Sequence, residues 1–519
     1  MAISVSGQTN SPQLSSTLRL FVREFRFEGN TVFSNAELSR ITAPYTNREI
    51  SSTQLEEARR AITLQYVNRG FINSGAVIPD QKPADGIIHI KIVEGILSEI
   101  NVYSNQWLRG SYLRSRIDRW SGPPLNLKDL QEGLQLIRQN PNVKQVNAEL
   151  RPGSSLGESI LDMAVRDCPP FRLGLQIDNQ RPPSVGAEEF TLLAGDRNLT
   201  GHNDELGISY VIAHATQNDL EFSGIDNVST FYRIPVTPYD TTLEVHADRS
   251  DFAIIEEPFT SLDISSESYS FGGALRQPLY QSANREFALS FGFDRRFSQT
   301  FQNNKPFFIS PGADAKGVSC VSVIRFAQEW VDRSEDHVLA LRSTVNWGIN
   351  ALDATDNGTS RDATFVSWQG QAQYVQRLFH TANQIILRAN GQWTDDGLLS
   401  LEQFSVGGFN SVRGYRENQL VRDRGVFTSA EFRVPVLYDR KGAAVLQLAP
   451  FVDFGGGWNV GEKTPDPATL ASSGLGLLLN VTQRFSAQLY WGYAFNDVHG
   501  TKGDSQDLGL HFRINFEAF

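Results

Sequence analysis

The chain has 519 residues and a formal net charge of −11, with no long basic block, which argues against a nucleic-acid binder. Hydrophobic residues make up only 40%, and no apolar run approaches the ~18 residues of a membrane-crossing helix. With 33 Phe and 14 Tyr, a membrane β-barrel stays open, because only alternate residues of a barrel strand meet lipid.

Residues 1–17 are polar and Ser-rich and lack the apolar core of a signal peptide. An exported chain needs such a core, so this segment reads as a trimmed or incomplete start. Residues 18–95 read as one compact unit. Phe21 to Phe27 predicts a strand, and Ser34-x-x-Glu37 is a capping-box pattern opening a short helix with Leu38 and Ile41 on one face. Thr53-x-x-Glu56 predicts the start of a second helix, whose stripe is Leu55, Ala58, Ile62 and Tyr66 and which Gly70 closes. Strands follow near Ala76–Ile78 and Ile87–Val93. The order is β-α-α-β-β.

Residues 96–167 broadly repeat that order. Leu97–Val102 predicts a strand, and Asn126 precedes a helix with the stripe Leu127, Leu130, Leu134 and Ile137, stopped at Asn140-Pro141. Val143–Leu150 and Ser159–Val165 predict two strands around the turn Arg151-Pro152-Gly153. A two-copy sheet-plus-helix unit reads as a module array more than an enzyme core. Each copy should leave a sheet edge free, and such an edge can accept an extended peptide.

From Cys168-Pro169-Pro170 onward the texture changes, and residues 168–519 read as strands. Ile385, Leu387, Ala389, Gly391 and Trp393 alternate with Ile386, Arg388, Asn390 and Gln392. Ala487, Leu489, Trp491, Tyr493 and Phe495 alternate with Gln488, Tyr490, Gly492 and Ala494. One face suits lipid and the other a wet lumen, although a soluble β-sandwich alternates too. Strands of about 9–12 residues and a count of roughly 16 favour an outer-membrane barrel. The longest interruption, near residues 394–425, falls between the eleventh and twelfth candidate strands. A structureless loop of that length is more often functional or disordered than neutral.

The chain lacks G-x-S-x-G, H-E-x-x-H and G-x-x-x-x-G-K-[ST]. No catalytic residue, cofactor or metal site is expected. His202 and His246 read as loop or lumen residues, Glu188-Glu189 and Glu256-Glu257 as solvated turn charges, and Gly455-Gly456-Gly457 as a strand end or turn. Cys168 and Cys320 read as isolated thiols, since neither has metal-ligand or C-x-x-C spacing.

The interruption contains Gly407-Gly408-Phe409-Asn410-Ser411-Val412-Arg413-Gly414-Tyr415. Downstream lie Ser429-Ala430-Glu431-Phe432 and Phe451-Val452-Asp453-Phe454-Gly455, an F-x-D-x-G pattern. With Gln139–Val143, Leu150–Gly153 and Gly157–Leu161 upstream, the chain from about Leu18 to Phe519 resembles the two-partner-secretion transporters, the TpsB branch of the outer-membrane assembly superfamily. The resemblance implies a transmembrane antiparallel β-barrel of about 16 strands preceded by two small α/β POTRA domains in the periplasm. It implies a translocator that recognises an unfolded partner through those domains and secretes it to the cell surface. The partner would be a β-helical, TpsA-like exoprotein bound through its N-terminal secretion domain, and the transporter a monomer surrounded by outer-membrane lipid.

The resemblance also places Val412, Arg413, Gly414 and Tyr415 on a loop folded back into the lumen. It supplies a counter-charge for Arg413 on the inner wall: Asp453, with Glu431 as a second candidate. A guanidinium inside a barrel is costly unless paired and hydrogen-bonded, so the pair reads either as a movable latch or as a brace. Two features depart from the family. The family often has an N-terminal helix that plugs the barrel, which residues 1–17 are expected to lack or to carry only in part, and the alternation Leu508, Leu510, Phe512, Ile514, Phe516 is out of phase with Phe519. The alternative from the same superfamily is a factor that inserts other barrels, although that branch usually carries more POTRA copies. A passive porin or a barrel-anchored enzyme or adhesin fits the modules less well.

Overall fold

The computed structural model describes residues 19–83, 85–213, 226–256, 260–358, 360–378, 381–498 and 503–518. The expectations for residues 1–17 and for Phe519 lie outside these. The described chain forms two units: residues up to Asn105 with Leu113–Arg166, and Gln106–Tyr112 with Asp167 onward.

In the first unit, the stretch predicted as one strand over Phe21–Phe27 is two. Arg19–Val22 pairs antiparallel with Arg48–Ser51, whereas Glu24–Glu28 runs parallel to Ile87–Val93. The break falls at Arg23, whose backbone N–H turns to donate to the Gly86 carbonyl at 2.7 Å. Ser34 and Glu37 form both bonds of a capping box at the start of helix Asn35–Thr42. The second helix has its cap two residues before the predicted one. It spans Ser52–Asn68 and is capped by Ser51 with Gln54, not by Thr53 with Glu56. The strand Arg48–Ser51 delivers Ser51 in extended conformation, where its hydroxyl accepts from the Gln54 N–H at 3.2 Å. Ala58, Ile62 and Tyr66 line the buried face of this helix, in one core with Phe25, Ile88 and Ile90. Each fully buried Ile contributes roughly 1.5–3 kcal/mol.

The second module places Ile96–Tyr103 parallel to Glu158–Asp167, with Val143–Pro152 on the other side of that central strand. Asn126 caps helix Leu127–Gln139 by accepting from the Lys128 N–H at 2.9 Å, and Leu130 and Ile137 are buried. The two modules are stitched by Asn73, whose Nδ2 donates to the carbonyls of Ile96 and Gly157 at 3.2 and 3.0 Å. Glu24–Glu28 and Gly75–Val77 edge the first three-stranded sheet, and Ile96–Tyr103 and Val143–Pro152 edge the second.

The second unit is a closed antiparallel barrel of sixteen strands among the described residues, running from Phe171–Asp178 to Leu510–Glu517, which pair to close it. A two-residue extension, Lys305–Pro306, folds back on the strand Arg285–Gln302. Alternation sets the two faces. Val452 and Phe454 are 58% and 46% exposed toward lipid, while Phe451 and Asp453 are 3% and 1% exposed toward the interior. Some strands exceed the predicted length. Ile264–Gln281 and Arg285–Gln302 have 18 residues each, because a hairpin keeps its ladder bonds when it leaves the bilayer. Gly455–Gly457 lie in the strand Ala444–Trp458. Leu508, predicted on the last strand, instead ends a short 3₁₀ turn, Ser505–Leu508. Cys168 and Cys320 are free thiols.

Candidate functional site

The segment between strands Gln384–Thr394 and Arg424–Tyr438 is not structureless. Gly397–Leu398 pairs with Arg361–Asp362, Ser400–Glu402 forms a 3₁₀ turn, and Phe404–Val406 pairs antiparallel with Leu420–Arg422. The loop is therefore a hairpin whose tip, residues 407–419, carries Val412, Arg413, Gly414 and Tyr415. Gly407 and Gly408 at its entry have φ of +117° and +98°, backbone that side chains other than glycine rarely adopt.

Arg413 is fully buried. Its Nε and Nη2 donate to the two carboxylate oxygens of Asp453, each at 2.8 Å, in a bidentate fork. Its backbone N–H donates to Asp453 Oδ2 at 3.1 Å, and Nη2 also reaches Ser429 Oγ at 3.0 Å. Nη1 bonds Glu431, which accepts a second cation from Arg433 Nε at 2.6 Å. The guanidinium carbon lies 3.7 Å from the Phe451 ring centre and 4.7 Å from that of Tyr490. Ser429 and Asp453 are direct cross-strand partners, as are Glu431 and Phe451, so two neighbouring barrel strands present both carboxylates, the serine and one ring, while Tyr490 comes from the strand Phe485–Ala494. The buried cation is thus met by two carboxylates and two aromatic rings, the condition under which its burial is tolerated.

The rest of the motif holds that geometry. Gly414 has φ +92°, and a Cβ there would stand 2.8 Å from the Gly492 carbonyl. Its N–H donates to His511 Nε2 at 3.1 Å. The Tyr415 hydroxyl donates to the Ala471 carbonyl at 2.8 Å and accepts from the Asn496 N–H at 3.0 Å. Val412 packs with Phe404, Val406, Tyr415, Leu420 and Leu470.

Three further clamps carry no motif in the sequence. Arg416 forks onto Asp507 at 2.6 and 2.8 Å and bonds Glu256 at 2.7 Å. Glu256 is therefore an ion-pair partner and not a solvated turn charge. Glu189 likewise opens a barrel strand, with Arg181 3.9 Å away; Glu257 lies outside the described residues. At the base of the loop, Asp423 accepts from Arg361 at 2.7 and 3.1 Å, from Gln403 at 2.8 Å and from the N–H groups of Leu398 and Val460. Glu402 accepts from Arg325 at 2.9 and 3.2 Å. His246 faces Asp294 from the barrel wall at 3.1 Å, and His202 lies beside Thr200 in a loop.

A closed sixteen-strand barrel behind α/β modules, with a charge-clamped loop folded against its inner wall, defines an outer-membrane β-barrel transporter. Residues 157–479 match the family described as haemolysin secretion/activation protein ShlB/FhaC/HecB, and residues 20–95 match the POTRA domain of ShlB type. The chain belongs to this family of two-partner secretion transporters; its barrel lies in the outer membrane and its POTRA region in the periplasm. It is 24% identical over 507 residues to the outer membrane transporter CdiB of Dickeya dadantii, covering 95% of this chain and 86% of that one. It is 24% identical to the heme/hemopexin transporter protein HuxB of Haemophilus influenzae, covering 85% and 77%. The solved structure of CdiB from Escherichia coli superposes with a TM-score of 0.73 at 21% identity, covering 99% of this chain and 93% of that one. BamA from Haemophilus ducreyi shares the fold at a TM-score of 0.55 and 13% identity, covering 96% and 100%.

Proposed function

We propose that this transporter takes an unfolded, β-helical exoprotein through its N-terminal secretion domain, using free edges of its two POTRA sheets, and passes it through the lumen as a monomer. Backbone pairing at an edge suits an unfolded client, because it reads main chain before side chains. The Arg413 loop then acts as a latch. One observation carries this reading: the tip is held by discrete ion pairs to side chains of the wall, and ion pairs can be exchanged without remaking the barrel ladder. Glycines at 407 and 408 supply a place to swing.

The test is secretion of a candidate exoprotein from cells with and without this protein, with binding followed by pull-down after deletion of residues 96–167. Lost binding supports POTRA recognition; retained binding counts against it. Latch and brace separate in the double variant Arg413→Cys with Asp453→Cys. If the pair only braces, an oxidised link restores secretion. If it is a latch, the link blocks secretion.

A further inference from the structure

The loop tip meets the barrel wall at a second point, Phe409. The Gly408 N–H donates to the Val412 carbonyl at 3.0 Å, and the Gly407 N–H donates to Ser411 Oγ at 2.8 Å. These bonds close a tight turn that presents Phe409 and Arg413 to the same stretch of wall. The Phe409 N–H donates to Glu417 Oε1 at 2.6 Å, which ties the turn to the returning arm of the tip.

The Phe409 side chain is buried in a socket of the inner wall. Ala449 and Phe451 come from the strand Ala444–Trp458, Leu478 from Thr469–Thr482, and Tyr490 from Phe485–Ala494. The Tyr490 ring stands edge-on to Phe409, with centroids 5.5 Å apart and planes at 86°. The Arg513 guanidinium, from the last strand, lies 4.9 Å from the Phe409 ring centre. Between these rings the strand Thr469–Thr482 turns Gly474 and Gly476 inward. A Cβ on Gly474 would stand 2.6 Å from the Phe451 ring, and one on Gly476 2.3 Å from the Tyr490 ring. Their missing side chains leave room for both rings, the same two that flank the Arg413 guanidinium.

The two contacts of the tip differ in what can replace them. Water and the polar groups of a passing chain can take over the hydrogen bonds of Arg413 and its acids. Nothing polar can replace Phe409, because an emptied socket exposes Ala449, Phe451, Leu478 and Tyr490 to the lumen. We propose that the socket is a shared aromatic site, filled by Phe409 while the tip is docked and by an aromatic side chain of the exoprotein when the tip swings out. This rests on the latch reading above. An extended client presents every second side chain to one wall, and an aromatic ring restores both the apolar contacts and the Arg513 cation. Departure of the tip is thereby coupled to arrival of an aromatic residue.

The full chain in detergent is titrated with N-acetyl-4-fluorophenylalaninamide and followed by fluorine NMR. Phe409→Ala, whose socket is open, is expected to bind this probe about tenfold or more tighter than the wild type, where Phe409 competes. Phe409→Ala with Ala449→Leu, which refills the space, should lose that gain; if it loses the heat-modifiable barrel, Leu478→Phe takes the place of Ala449→Leu. Equal binding to the wild type and Phe409→Ala, or a gain that survives refilling, overturns the socket as the site. Equally effective displacement of the probe by the cyclohexylalanine analogue overturns an aromatic occupant. In secreting cells, a diazirine amino acid in place of Leu478 is expected to crosslink to the exoprotein, and one in place of the lipid-facing Leu477 is not. Secretion with no crosslink at 478, or with equal crosslinks at both positions, overturns the client's place in the socket. Absence of secretion by the wild type overturns instead the transport reading beneath it.

Discussion

Asp453 receives three hydrogen bonds from the single residue Arg413, two from the guanidinium at 2.8 Å and one from its backbone N–H at 3.1 Å. The carboxylate thus fixes both the side chain and the main chain of the loop tip. Removing the cation leaves Asp453 and Glu431 buried with reduced compensation, a change that costs about 3–5 kcal/mol in comparable buried pairs. The sixteen-strand ladder is untouched by it. Arg413→Ala is therefore expected to give a folded barrel that still shifts on heating in gel electrophoresis, yet to abolish partner secretion. Wild-type secretion would sink the functional role assigned to the pair.

The two carboxylates are not equivalent. Glu431 keeps Arg433 when Arg413 is lost or moved, whereas Asp453 depends on Arg413 for its cation. Asp453→Asn should reduce secretion more than Glu431→Gln, and Arg413→Lys should not rescue, because an ammonium cannot form the two-pronged bond. Quantifying exported partner across the three variants checks the order. Equal effects of the two acid variants would place the energy elsewhere.

Gly414 and Gly492 approach each other so closely that a Cβ on either lies 2.8 Å from the other's backbone. Gly414 also has φ +92°. Gly414→Ala should cost roughly 1–3 kcal/mol from backbone strain alone, with the steric clash added. Gly492→Ala should lack the strain and cost less. The expected readout is graded secretion, Gly414→Ala below Gly492→Ala, with both barrels still assembled. A fully active Gly414→Ala would show that the tip does not dock in this geometry during transport.

Local signals were legible in the sequence and distant ones were not. Ser34 and Glu37 announce their helix because both capping bonds lie within three residues. The strand Arg48–Ser51 carries no local signal, because its partner, Arg19–Val22, lies outside any local window and neither strand has more than four residues. The loop looked structureless for the same reason. Its order comes from Arg361 with Asp423 and Arg325 with Glu402, separated by 62 and 77 residues. Arg413 is legible through a motif resemblance. Arg416, three residues on, carried no such signal, and its partners lie 91 and 160 residues away.

Arg416 offers a way to loosen the tip while keeping the inner lock. It joins the loop to Asp507 and Glu256, acids from two other loop regions, and all three side chains are less than one-fifth exposed. Arg416→Ala should remove roughly 1.5–3 kcal/mol of charge-assisted bonding and leave the Asp453 fork in place. Limited proteolysis of intact cells should then cut the loop faster, with partial secretion retained. Unchanged cleavage would mean that the Asp453 fork alone sets the position of the tip.

In the first POTRA region, Glu94 accepts from the N–H groups of Thr31 and Val32 at 2.7 and 2.9 Å and from the Tyr66 hydroxyl at 2.9 Å. Partial burial works against its charge, but the bonds from Thr31, Val32 and Tyr66 prevail and hold its carboxyl below the usual value of about 4.5. Burial and the same carboxylate push the Tyr66 hydroxyl up, so it stays a donor at neutral pH. A carboxyl depressed in the folded state binds protons more readily when unfolded, so its stabilising contribution is fully present above about pH 4.5 and is lost as pH falls through the lower folded value. Hydrogen exchange on the full chain should show the amides of Thr31 and Val32 losing protection as pH is lowered through that window, after correction for intrinsic rates. Glu94→Gln should lower protection at neutral pH and flatten this pH dependence. A variant retaining the wild-type pH dependence would assign the titration to another group.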